Sequence, residues 1–291
     1  IYPMSQKELL DNIKKLREMT GVGFKDCKIA LDENEGNIEK SIEFLRKKGI
    51  AKASKKMSRT ASEGLALVKE DEGQISIIEI NSETDFVAKN QDFINFCKEL
   101  SEINFRNKGD LNQINETKME NSSLVKDNLV NLIAKIGEKI TIRRTKFFEN
   151  KKDLNFYYVH SALEKNIGKI ISVVSIDGIV KGKNDELGNK ISMHIAASNP
   201  LAIDKNGIKK EIVDKELEII KAELTNTGKP SEMAEKISKG KIAKFLNDNT
   251  LLNQIWIMDP KKKVSDILKD NKIDKEITIL DFVRFKVGEG I

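Results

Sequence analysis

Cysteine is nearly absent: Cys27 and Cys97 are the two in 291 residues, each lies in a segment of helical pattern, and they form no C-x-x-C pair. A disulfide framework and a zinc site are excluded on that count, and a reducing cytosol fits. Histidine is as scarce. His160 and His194 stand without a serine or cysteine at a nucleophile spacing, which removes the familiar triads. No run of about 18 apolar residues occurs, and the first residues carry no basic segment ahead of an apolar one. The reading is a cytoplasmic chain that neither spans a membrane nor is exported. Ile1, Tyr2 and Pro3 precede Met4, which looks like the true start, and are set aside. A strong excess of one charge is also missing. Lys and Arg number 51 against 46 Asp and Glu, a net +5, whereas a nucleic-acid binder concentrates uncompensated basic residues. No direct nucleic-acid partner is expected.

What is present is modular. At 291 residues the chain exceeds one usual compact core, so several domains are expected. Ser5-x-x-Glu8 is a capping box ahead of Leu9, Leu10, Ile13 and Leu16, giving a first helix over about 5–18, which Gly21 and Gly23 then break. A second helix carries Phe24, Cys27 and Leu31, and a third begins at Asn37, is lined by Ile38, Ile42 and Leu45, and ends at Gly49. These form a three-helix module over 4–49, followed by a basic, apolar-poor linker over 50–62.

From Gly64 the period changes to that of strands: GLALVKE, a turn, then QISIIEIN. A helix from about Asp92, another lined by Val125, Leu129, Leu132 and Ile136 and stopped by Gly137, and the strand EKITIRRTKFF complete a first core half over 63–149. The plan then repeats. FYYVHSAL and KIISVVSI form a hairpin, a helix carries Leu187, Ile191 and His194, and the closing strand TILDFVRFKVGEG arrives late, so the second half covers 150–207 and 249–291. Between them, 208–248 places Val213, Leu217, Ile220 and Leu224 at coiled-coil spacing, turns at Gly228-Lys229-Pro230 and returns with Met233 and Ile237. The fold class is α+β multidomain, with a two-part antiparallel-sheet core and an inserted antiparallel helical hairpin.

Chemistry is hard to find. Gly228-Lys229-Pro230-Ser231 lacks the leading glycine of a phosphate loop, and Gly21-x-Gly23 lacks its third glycine and preceding strand, so both read as turns. Carboxylates are plentiful, yet none stands in an apolar surround that would raise its pKa. His194 reads as structural. The chain is not read as an enzyme, and no cofactor or metal is expected. One oddity remains: SETDFVAKNQDF sets Phe86 among polar residues, where an exposed ring gains nothing unless something buries it.

Five segments in order, MTGVGFKDCKIAL, NSETDFVAKN, AKIGEKITIRR, HIAASNP and VRFKVGEGI, resemble bacterial elongation factor Ts over essentially the whole chain. The resemblance implies a guanine-nucleotide exchange factor of elongation factor Tu, built from a ubiquitin-associated-like helical module, a two-part core and a coiled-coil hairpin. It further implies that the TDFVAKN loop, Thr84, Asp85, Phe86 and Val87 here, disturbs the Mg²⁺ and phosphate site of elongation factor Tu. Further partner contacts fall on Lys28, Ile136, Gly137 and His160. Each has a plainer reading: Phe86 packing back on its own helix, Ile136 in its core stripe, Lys28 a solvated lysine, His160 buried or capping. Ser161-Ala162 also departs from the glycine the family usually has soon after that histidine. The alternative is a ribosome- or RNA-associated protein using Lys52, Lys55, Lys56 and Arg59 of the linker. A peptide-binding adaptor using the Gly21–Phe24 loop is a third reading. Whether the hairpin pairs with a second copy as a homodimer or simply projects stays open.

Overall fold

The computed structural model describes residues 6–20, 22–149, 151, 153–228 and 230–291. Ser5 of the expected capping box, Gly21 and Lys229 lie outside the described residues. The first three helices, α1 (Gln6–Thr20), α2 (Phe24–Glu33) and α3 (Ile38–Ser54), enclose a small core of Ile13, Leu16, Cys27, Ala30, Leu31 and Leu45. Asn37 caps α3 by accepting from the Lys40 N–H at 2.9 Å.

Gly49 does not end α3, which runs on to Ser54. The reason is tertiary. A Cβ placed on Gly49 would meet Val130, Asn131 and Ala134 at 3.7–3.9 Å, so this turn of α3 lies against α7 (Val125–Ile136). Ala53, inside the stretch read as linker, is buried in the neighbouring core. Packing along the helix outweighs the local tendency of glycine to stop it.

The body is a mixed α+β structure. β1 (Glu63–Asp71) and β2 (Gln74–Ser82) form a tight hairpin through Glu72 and Gly73, both at positive φ, 48° and 80°. With β3 (Ile140–Phe148) and the short β5 (Ile167–Gly168) they make a sheet in the order β3-β2-β1-β5. A second sheet runs β4 (Leu154–His160), β6 (Ile170–Asp177), β9 (Thr278–Lys286). The pairing repeats: β3 closes on β2 as β9 closes on β6, all antiparallel.

Period-2 alternation sorts the side chains between two cores. Leu65, Leu67, Ile78 and Ile80 face α5 (Gln91–Arg106) and α7, packing with Phe93, Cys97, Leu100 and Ile133. Ala66, Val68, Ile75 and Ile77 point the other way and meet Ile171, Val173 and Phe285, so the sheets pack face to face. Val174 and Ile176 face away again, onto Leu187, Ile191 and Ile195 of α8 (Glu186–Ser198). The layers therefore run helices, sheet, sheet, helix.

His194, on α8, is fully buried. Its Nε2 meets Oε1 of Gln254 at 2.9 Å, its ring stacks on Trp256 at 5.2 Å between centroids, and its Nδ1 accepts from the Ile257 N–H at 3.4 Å. The role is structural.

The sequence reading passed over α4 (Asp85–Ala88), α6 (Leu111–Asn115), the hairpin of β7 (Ile255–Trp256) and β8 (Asp259–Lys263), and α11 (Val264–Asp270). β8 reads DPKKK, with no apolar alternation to reveal it. The inserted helices are α9 (Lys210–Asn226) and α10 (Ser231–Asp248), which pack on each other.

Candidate functional site

The TDFVAKN segment leaves the end of β2 and winds at once into α4, a single helical turn. The Ser82 hydroxyl donates to the Thr84 carbonyl at 3.0 Å and turns the chain out of the sheet. Val87 and Ala88 are buried in the helix–sheet core, 7% and 2% exposed, so one side of the turn is anchored. Phe86 leaves the opposite side and is 78% exposed, the highest fraction among the large apolar side chains of the described residues. Packing back on its own helix is ruled out. Asn90 then starts α5 by accepting from the N–H groups of Asp92 and Phe93, at 3.0 and 3.2 Å.

Asp85 beside it pairs with Lys89 one turn on, at 3.0 Å. The hydrogen bond from Lys89 holds its carboxyl below the usual range. Lys169 also contributes to the field at Asp85, and its ammonium is held by Glu63 Oε2 at 3.2 Å and the Gly64 carbonyl at 2.9 Å.

The end of α7 is fastened to this turn. Gly137 closes the helix at φ 84°, and a Cβ there would meet nothing within 4 Å. Ile136 is half-buried, with part of its side chain packed on the core. Glu138, next along, accepts from the Thr84 N–H at 3.0 Å and from the Thr84 hydroxyl at 2.8 Å. Glu83 in turn accepts from the Lys139 N–H at 2.6 Å and pairs with Arg59 at 3.3 Å. The structure thus brings Thr84, Asp85, Phe86, Val87, Ile136 and Gly137 together. Glu83 and Glu138, which hold them there, were not singled out in the sequence. The one signal available is a carboxylate directly after a helix-ending glycine.

His160 is exposed at the end of β4, opposite Ile170 and so beside Lys169, with the Tyr158 hydroxyl 3.2 Å from its Nδ1. Burial is therefore not its role. Lys28 is exposed on α2, and no contact among the described residues brings it to the turn. Among the described residues no group of three or more His, Cys, Asp or Glu is placed to hold a metal ion, and no helix is long and apolar enough to cross a membrane.

Residues 83–289 match the family described as Elongation factor TS. The chain is 39% identical over 286 residues to Elongation factor Ts of Maricaulis maris, covering 96% of this chain and 91% of that protein. It is 40% identical over 284 residues to the same factor of Nitrobacter hamburgensis, covering 96% and 92%, and 37% identical over 283 residues to that of Rickettsia felis, covering 96% and 91%. A match that begins at Glu83, takes in the whole α4 turn and runs to Glu289, with relatives aligned along nearly the full chain, places this protein in the elongation factor Ts family.

Proposed function

We propose that this exchange factor of translation elongation opens elongation factor Tu with Phe86 as a rigid wedge. The supporting observation is a phenyl ring 78% exposed on a turn whose other side is sunk in the core. A ring so placed contributes about 1.5–3 kcal/mol when a partner buries it, the scale of an interface hot spot. By linkage, a factor that binds the nucleotide-free partner more tightly must weaken nucleotide by the same ratio. No covalent step is needed. Mg²⁺ tolerates little departure from octahedral geometry, so a small displacement of its ligands loosens it and the phosphates it bridges. Ile136, Gly137, His160 and Lys28 are the further contacts of this reading, and Gly137, open and without a side chain, lets a partner approach closely.

The test is GDP release from elongation factor Tu, followed with a fluorescent nucleotide. Phe86→Ala slows release by tenfold or more, about 1.4 kcal/mol per decade, and leaves the melting temperature unchanged. An undiminished rate removes the wedge.

The finer architecture belongs to the same proposal. α1–α3, with a core of their own, serve as the ubiquitin-associated-like module, and α9–α10 as the coiled-coil hairpin. The RNA-associated alternative has less support, because Lys52 is paired with Asp26 and Arg59 with Glu83. A homodimer through the hairpin rests on the exposed Ile212, Ile219 and Met233, and sedimentation decides it. The site of action is the cytoplasm, where translation occurs.

A further inference from the structure

We propose that Glu138 is a positioning residue for exchange: through a reciprocal pair of glutamates it holds the α4 turn so that Phe86 projects as a stiff wedge. The inference rests on the wedge reading above. Two loops meet here, the one entering α4 and the one leaving α7. Each sends one carboxylate to the backbone of the other: Glu138 to the Thr84 N–H, Glu83 to the Lys139 N–H.

A four-residue helix cannot hold itself. Nucleation is unfavourable and one turn has no propagation to offset it, while its first N–H groups have no partner within the turn. Thr84 occupies the capping position yet makes no side-chain cap to its own helix; its hydroxyl is turned toward Glu138 and donates there. Glu138 uses both oxygens, one on the amide and one on the hydroxyl, which fixes direction as well as distance. Val87 and Ala88 hold the turn from below, but apolar contacts are not directional. The carboxylate supplies the angle.

The second glutamate closes the pair. The Glu83 side chain is 18% exposed and also takes Arg59, while the Lys139 ammonium donates to the Arg59 carbonyl at 2.9 Å. The stretch that follows α3 is thereby tied to the platform under the wedge. Both carboxylate oxygens of Glu138 are engaged within the chain. Its effect runs through Phe86.

The experiment uses the full chain and reads GDP release at saturating factor, where affinity no longer limits the rate, together with the half-saturation concentration. Glu138→Ala is expected to slow release at saturation by roughly tenfold, since a misplacement of about an ångström is costly to a positioned group. Glu138→Gln restores most of the rate, because its amide oxygen still accepts from the Thr84 N–H. In a Phe86→Ala background, Glu138→Ala adds little. If Glu138→Ala releases GDP at the wild-type rate while Phe86→Ala is slow, the positioning role is wrong and the wedge stands. If the two substitutions are fully additive, Glu138 acts by another route and the proposal falls. A wild-type rate for Phe86→Ala overturns the wedge itself. Should Glu138→Ala fail to fold, Thr84→Val, which removes only the hydroxyl arm, carries the same test: slower release at saturation supports the role, and an unchanged rate overturns it.

Discussion

The backbone N–H of Gly288 donates to Oε1 of Glu79 at 2.9 Å, tying the end of the last strand to the middle of the second. Glu79 is fully buried on β2 and also receives Arg143 at 3.1 Å, Arg144 at 2.5 Å and the Asn81 amide at 2.9 Å. Arg144 lies over the Phe285 ring at 4.3 Å, and Arg143 donates onward to the Glu289 carbonyl. Gly288 is required there: φ is 77°, and a Cβ would come within 2.0 Å of the Ser62 carbonyl oxygen. The Arg-Arg pair and the closing VGEG segment therefore meet on one carboxylate and clamp the two sheets together.

Removing that carboxylate takes away the acceptor that two guanidinium groups, an amide and the Gly288 N–H share. Glu79→Ala is expected to cost about 3–5 kcal/mol of stability, read by urea unfolding. The pH dependence has a definite sign. Burial pushes the Glu79 carboxyl up, but the Gly288 N–H, Asn81 and Arg144 outweigh it and leave the pKa below its ordinary 4.5. The unfolded chain thus takes up a proton first as pH falls. The stabilisation is complete above pH 4.5 and is lost below it, and Glu79→Gln should flatten that part of the profile.

His194 gives a second pH signature. Burial lowers its pKa from the ordinary 6.5, opposed in part by the Gln254 bond. The Gln254 amide already donates to the carbonyls of Ser198 and Asp248, so its Oε1 accepts from His194 Nε2–H, and Nδ1 is left to accept from Ile257. Protonation would set one N–H against another. Native structure holds the neutral ring and the unfolded chain binds the proton, so stability should decline as pH falls below 6.5. His194→Asn should lower stability at neutral pH and remove that slope below pH 6.5.

Much of this was legible in the sequence, and the parts that were not share a cause. Short apolar runs in GLALVKE and QISIIEIN announce strands because both faces are buried, and the stripe of Val125, Leu129 and Leu132 announces α7 because one face of it packs on the core. The α4 turn is too short to show a period. Glu138 and Glu83 act through bonds across more than fifty residues, and the only local mark is the place of Glu138 directly after the helix-ending Gly137. Phe86 stood out because it broke the polar pattern around it.

Gly49 was misread because glycine near a run of lysines looks like a helix end. The structure reverses the expected effect of a substitution there. A Cβ would make ordinary contacts with Val130, Asn131 and Ala134, in a helix that continues to Ser54. Gly49→Ala should stabilise the protein by about 0.5–1 kcal/mol through helix propensity. Were the helix to stop at Gly49 in a left-handed cap, the same change would destabilise it. A thermal melt separates the two.

The last prediction concerns α9 and α10. Their bases are already held next to each other by the body: Ala202 bridges Thr250, the Leu201 N–H donates to the Asn249 carbonyl at 2.8 Å, and the Leu251 N–H donates to the Ala202 carbonyl at 2.9 Å. Gln254 grips the Asp248 carbonyl at 2.9 Å just inside that point. The two helices bury Ile220 and Leu224 chiefly between themselves, so what they gain on folding they gain from each other. Deleting residues 209–247 and joining the flanks with a short glycine-containing turn removes an excursion whose ends are fixed without it. Closing a shorter loop costs slightly less entropy, about 0.6 kcal/mol per halving. Body stability should therefore stay within about 1 kcal/mol of the parent in urea, with His194 and Gln254 still engaged. A drop of several kcal/mol would mean that the helices bear on the second sheet after all and are part of its core.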